Sequence, residues 1–173
     1  MIQIMVPISS RDLDDVRALM RAFNAWHRQR HPQDLHLIDA YFDAVAFENE
    51  LASLPGRYHP PDGLLLLARL EGRPAGCVAL RRIDSTACEM KRMFVYPEFH
   101  GRGVGKALGV AVVESARLVG YRLMRLDTSI RQHEAQALYT RLGFRVIEPY
   151  YDLPEDLRSW LVFMELTLTP VIA

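Results

Sequence analysis

Between His100 and Leu108 the chain reads His-Gly-Arg-Gly-Val-Gly-Lys-Ala-Leu, three alternate glycines running into a segment rich in Ala, Leu and Val. This run constrains the fold more than any other. Lys106–Val119 has helical composition and ends at Gly120, while Thr86–Tyr96 before the loop is strand-like and stops at Pro97. A strand, a glycine turn and a helix in that order expose unpaired N–H groups at the helix N-terminus, where the helix dipole favours an anion. Glycines let that backbone come close to a phosphate, and Arg102 and Lys106 can add charge to it.

Two familiar phosphate loops fail on spacing. A P-loop ending at Gly105-Lys106 needs Gly at position 100 and Ser or Thr at 107, and the chain has His100 and Ala107. A dinucleotide fingerprint starting at Gly101 needs its third glycine where Lys106 stands.

The flanking segments supply the architecture. Ile2–Ile8 reads as an edge strand. Ser9 and Ser10 are candidate caps followed by Asp12, Asp14 and Asp15, and Val16, Leu19, Met20, Phe23 and Trp26 recur at helical spacing. A second helix is expected over Asp39–Leu51. Leu64–Leu70 and Pro74–Arg81 flank the turn Glu71-Gly72-Arg73 as a hairpin. Strand Tyr121–Ser129, helix Glu134–Leu142, strand Phe144–Ile147 and strand Trp160–Thr169 complete the order. The expectation is one α/β (α+β) domain over residues 1–173, a mixed sheet flanked by helices.

Composition narrows the function classes. The 21 basic and 21 acidic residues balance, which argues against a nucleic-acid binder relying on bulk positive charge. No apolar run reaches membrane-span length, and the first residues lack the pattern of a signal peptide, so a cytoplasmic protein with no membrane or nucleic-acid partner is expected. Cys77 and Cys88 lie in apolar strand segments and read as buried reduced thiols. His27, His31 and His36 lack the Cys or carboxylate that would complete a ligand spacing, so no metal site is expected.

Three segments together, Glu89–Pro97, Gly101–Leu108 and Ala135–Phe144 with its Leu-Tyr-x-x-x-Gly-Phe pattern, resemble the spine of the GNAT N-acetyltransferase superfamily over roughly Leu64 to Phe144. The loop fits that family's Gln/Arg-x-x-Gly-x-Gly/Ala pattern except that His100 replaces Gln or Arg. The resemblance implies a mostly antiparallel mixed sheet with about four flanking helices, whose splayed central strands hold coenzyme A. It implies acetyl-CoA as donor, with Met93, Phe94 and Val95 pairing with the pantetheine arm, and His100, Gly101, Arg102, Gly103, Val104, Gly105 and Lys106 holding the pyrophosphate. Gln132 stands where many relatives place an Asn against the cofactor.

Tyr139 matches the family tyrosine near the cofactor sulfur and is the expected proton donor to the leaving thiolate. Some members carry their general base at the position of Glu89, which on a regular strand shares a face with Lys91, Met93 and Val95; a salt bridge to Lys91 or Arg92 is the competing use. The implied reaction is direct transfer to a primary amine of a small molecule, with strand N–H groups holding the oxyanion. A non-catalytic acyl-CoA sensor and a protein N-acetyltransferase are the alternatives. The acceptor pocket would draw on Glu48, Tyr150 and Tyr151, whereas Arg57, Arg81 and Arg82 point instead to a carboxylate-bearing acceptor. The chain is expected to act as a monomer or homodimer.

Overall fold

A computed structural model of the protein describes residues 1–169. Seven strands form one sheet: β1 (Ile2–Met5), β2 (Leu64–Leu70), β3 (Arg73–Arg82), β4 (Ala87–Val95), β5 (Leu123–Ser129), β6 (Arg145–Ile147) and β7 (Leu161–Thr167). Their order is β1-β2-β3-β4-β5-β7-β6, and every neighbouring pair is antiparallel except β4 with β5. The described residues contain six α-helices: α1 (Ser10–Arg30), α2 (Leu35–Tyr41), α3 (Ala44–Ala52), α4 (Val104–Val119), α5 (His133–Leu142) and α6 (Glu155–Trp160). The expected mixed, mostly antiparallel sheet is present, with six helices in place of about four.

The differences have local causes. The helix expected over Asp39–Leu51 is two helices, because the Asp43 side chain accepts from the Ala46 N–H and starts α3 afresh after Phe42. The short helix α6, preceded by Pro154, was not read from the sequence. At α1, Ser9 forms a full capping box with Asp12. Asp12 and Asp15 then take Arg69 of β2 at 2.9 and 2.6 Å, which fixes α1 to the sheet.

The sheet separates two apolar layers. Leu66, Val78, Leu80, Leu108, Val112 and Met124 pack on the side of α4 and α5. Val16, Leu19, Ile38, Leu67, Cys77 and Ala79 pack on the side of α1, α2 and α3. Adjacent strand residues such as Leu66 and Leu67 go to opposite layers, as the period of a strand requires.

Two irregularities create the site. First, β4 and β5 pair only over Ala87–Glu89 and Leu123–Arg125. Beyond those residues β4 follows β3 and β5 follows β7, so the sheet splits at its centre. Second, β4 carries a bulge. Lys91 faces Ala79 but Phe94 faces Cys77, which inserts one extra residue into β4, and Arg92 takes φ +57°. The bulge reverses the strand's faces. Cys88 and Met90 lie on the α4 side, and so do Met93 and Val95, while Phe94 turns to the α1 side. The expectation that Glu89 shares a face with Met93 and Val95 is therefore corrected, because the extra residue breaks the alternation between them.

Candidate active site

The glycine loop builds a groove. Phe99 is buried beneath it, and Gly101 and Gly103 have φ of +76° and +83°, a conformation that a side chain would strain. The first main-chain bond of α4 runs from the Ala107 N–H to the Gly103 carbonyl at 3.0 Å. The N–H groups of Val104, Gly105 and Lys106 lie ahead of it and are free of partners within the helix. Here the groove between α1, the loop and α5 has a volume of about 430 Å³, with Trp26, Val95 and Leu138 on its apolar wall. A Cβ at Gly105 would stand 3.4 Å from Leu138 Cδ2, so bare backbone forms part of the floor. Lys106 and Arg141 add positive charge, while Arg102 is held by Glu71 at 2.9 Å and Arg30 by Glu134 at 2.8 Å. An extended ligand with an apolar arm and a phosphate end fits this groove.

Each residue expected at the cofactor has a definite place. Met93, Phe94, Val95, His100, Gly101, Gly103, Val104, Gly105 and Lys106 line the groove, and Gln132 lies where it narrows. The His100 ring donates from Nε2 to the Val95 carbonyl at 2.9 Å, which closes the loop onto β4. Gln132 accepts from Thr128 Oγ1 at 2.5 Å and bonds to His27 Nε2, so its amide ties α5 to β5 and α1. His27 is buried, and that burial, aided by neighbouring His31, pushes its pKa down to about 4. It is neutral at physiological pH.

A second cavity, about 50 Å³, adjoins the groove at Phe23, Met93 and Gln132 and passes through the split in the sheet. Tyr41 and Lys91 line its α1 side, and Tyr139 and Leu126 its α5 side. Tyr139 packs against Phe144 with ring centres 5.9 Å apart. Its burial, and secondarily the Asp127 charge, hold the phenol's pKa well above its usual value, so it stays protonated.

Asp127 is the one carboxylate on this cavity among the described residues. It accepts from Tyr41 Oη at 2.5 Å and from Tyr151 Oη at 2.6 Å. Lys91 Nζ donates to the same Tyr41 oxygen at 3.4 Å and stands 5.5 Å from the centre of its ring. Arg92 also borders the cavity, but Glu50 neutralises it. Sequence reasoning passed over Tyr41 and Asp127. An acid inside the strand expected over Tyr121–Ser129, next to Leu126, was the available signal.

Glu89 does not line either cavity. It is 1% exposed and accepts from Arg81 at 2.7 Å and Tyr150 at 2.6 Å, with Lys91 at 3.6 Å. Burial alone would raise its pKa, but Lys91, Tyr150 and Arg81 outweigh that and hold the carboxyl below its usual range. In this position Glu89 serves the use that competes with a general-base role, an ion pair, here with Arg81 and more distantly Lys91. Arg81 is spent on Glu89, and Arg82 faces Asp62 at 3.5 Å. Glu48 is likewise displaced from the expected acceptor pocket, because it pairs with Arg21 on the exposed face of α3.

Tyr150 and Tyr151 follow β6 in irregular chain. Off a strand, alternation does not apply, and both hydroxyls turn inward, to Glu89 and Asp127 respectively. Cys77 and Cys88 are free and buried, and burial pushes both thiols up to about 12, which leaves no thiolate for a covalent route at neutral pH. Among the described residues no three His, Cys, Asp or Glu are grouped to hold a metal ion, and no helix is long and apolar enough to cross a membrane.

Comparison with known proteins adds independent findings. The family model described as the Acetyltransferase (GNAT) family matches residues 15–144. The chain is 36% identical over 146 residues to an uncharacterized N-acetyltransferase of Schizosaccharomyces pombe, covering 83% of each chain. It is 36% identical over 127 residues to N-acetylaspartate synthetase of Danio rerio, covering 71% of this chain and 45% of that one. This chain therefore matches less than half of that synthetase. The crystal structure of a putative acyl-CoA N-acyltransferase from Klebsiella pneumoniae superposes with TM-score 0.70 at 28% identity, covering 98% of this chain and 97% of that chain.

Proposed function

The chain belongs to the GNAT acetyltransferase family, and from that premise we propose that it transfers the acetyl group of acetyl-CoA directly to the primary amine of a small molecule. Acetyl-CoA supplies a thioester carbonyl open to attack and a thiolate able to leave. The remaining tasks fall to the chain's own residues.

The observation that carries the reading is the meeting of two cavities at the split between β4 and β5. The groove offers β4 backbone, the helix N-terminus and Lys106 to the donor. The smaller cavity admits an acceptor from the other side of the sheet. Tyr139, buried on the smaller cavity and kept protonated, is the proton donor to the departing sulfur. In the balanced reaction the acceptor ammonium first gives up a proton to solvent; then, from the neutral amine, one N–C bond forms, one C–S bond breaks, one proton leaves nitrogen and one reaches sulfur. The similarity to N-acetylaspartate synthetase makes amino acids the first acceptors to try.

The test is release of free coenzyme A thiol from acetyl-CoA by purified protein, across amino acids, polyamines, aminoglycosides, arylamines and short peptides. Acceptor-dependent release with one small-molecule class is the expected result. If thiol release never rises above the acceptor-free background, direct transfer to a small amine is refuted, and an acyl-CoA sensor or a protein acceptor takes its place.

A further inference from the structure

The cavity on the α1 side of the split is dipolar. Its negative end is Asp127, gripped by two tyrosine hydroxyls that fix the carboxylate while leaving lone pairs on each oxygen. Its positive end is Lys91, one hydrogen bond from Tyr41 Oη, which is itself bonded to Asp127. The two charges therefore stand two hydrogen bonds apart through a single tyrosine oxygen. Lys91 is under-used where it sits. Its contacts with Tyr41 at 3.4 Å and Glu89 at 3.6 Å are both long, and Glu89 already takes shorter bonds from Arg81 and Tyr150. The other charged group on the cavity, Arg92, is cancelled by Glu50 at 2.8 Å.

An acceptor must match this pattern. A polyamine or aminoglycoside brings several ammonium groups, and this cavity has one carboxylate for them, with the Lys91 ammonium against them. An amine without any other charge would leave the Lys91 ammonium, only 17% exposed, without a partner on the acceptor. A molecule carrying one ammonium and one carboxylate a carbon or two apart satisfies both ends.

Building on the acetyltransferase reading, we infer that Asp127 and Lys91 form the acceptor site for an amino-acid zwitterion, Asp127 holding the ammonium and Lys91 the carboxylate. Tyr41 and Tyr151 set the position of Asp127, and Tyr41 also spaces it from Lys91.

The test compares amino acids with their carboxamides, which keep the amine and lose the carboxylate charge, using thiol release by the wild-type protein. A charge-assisted hydrogen bond of the usual strength predicts kcat/KM about 10- to 100-fold higher for the acid than for its amide. In Lys91→Met that ratio falls towards one, while Lys91→Arg keeps it above one. Asp127→Asn lowers kcat/KM for both members of each pair. A wild-type protein that turns over amides or spermidine as well as the amino acids, or only an arylamine, overturns the zwitterion site and leaves acetyl transfer standing. A wild-type protein that turns over no acceptor refutes the acetyl-transfer reading itself.

Discussion

The Glu50–Arg92 pair supports the bulge that shapes the acceptor cavity, and its energy follows from its surroundings. Arg92 Nε meets Glu50 Oε2 at 2.8 Å and Nη2 meets Oε1 at 3.3 Å, with side-chain exposures of 12% and 11%. Tyr58 donates to the same carboxylate at 2.9 Å, and the guanidinium sits 5.1 and 5.4 Å from the ring centres of Phe42 and Phe47. Burial alone would raise the Glu50 pKa, but Arg92 overrides it and keeps the group ionised. Glu50→Gln leaves a buried cation without its counter-charge, a change that costs about 3–5 kcal/mol. Glutamine keeps the shape and one acceptor, which places the loss near about 3 kcal/mol, or about 6–12 °C in Tm for a chain of this size. Thermal unfolding followed by circular dichroism measures it. The double variant Glu50→Leu, Arg92→Met removes both charges and should be more stable than Glu50→Gln. Because Arg92 borders the acceptor cavity and not the donor groove, Glu50→Gln should also raise acceptor KM with acetyl-CoA affinity unchanged. A Tm loss below about 2 °C for Glu50→Gln, or a double variant less stable than that single one, would refute a buried, energetically coupled pair.

Three further outcomes follow from the same geometry. Tyr139→Phe keeps the packing on Phe144 and loses the proton donor, so kcat should fall by about 100-fold or more while acetyl-CoA affinity, read by calorimetry, holds. His27 titrates at about 4 in the fold and near its ordinary 6.5 when unfolded, so between those values the unfolded chain binds the extra proton and stability rises with pH, levelling above about 6.5. The contribution is about 3 kcal/mol across that window. Melts from pH 4 to 8 should show the slope, and His27→Phe should flatten its upper part; carboxylates held low, such as Glu89, act only below about pH 4.5. Gly105→Val puts a branched side chain against Leu138 and Val95 on the groove floor, and acetyl-CoA affinity should drop about tenfold with little change in Tm.

The donor side of the site was legible because its signals are local. Gly101, Gly103 and Gly105 mark a turn into a helix by composition alone, and Ser9 with the acids after it marks the start of α1. The acceptor side was not legible, because its contacts cross the chain. Tyr41 reaches Asp127 over 86 residues, and Tyr150 reaches Glu89 over 61. Nothing in the spacing of those residues encodes the pairing. Glu48 illustrates the reverse error. Its neighbourhood in the sequence looked acidic, yet α3 turns it to solvent and to Arg21.

The expectation that Glu89 shares a face with Met93 and Val95 failed for a reason that also explains the site. Alternation counted from Glu89 carries Met93 and Val95 to its face, and that count holds only if every β4 residue is paired in register. The extra residue at Arg92 makes it false, and the consequence is functional. With the bulge, Glu89 and Lys91 look towards α1 and α2, while Met93 and Val95 look towards α4 and α5. One strand thus serves both cavities, with Lys91 on the acceptor cavity and Val95 on the donor groove. A non-glycine residue at positive φ costs of the order of 1–2 kcal/mol, which the contacts of Arg92 with Glu50, Phe42 and Phe47 offset. The ion pair that neutralises Arg92 is therefore also what lets the bulge persist. That leaves Lys91, whose ion pair with Glu89 is long at 3.6 Å, as the cation facing Asp127 across the split.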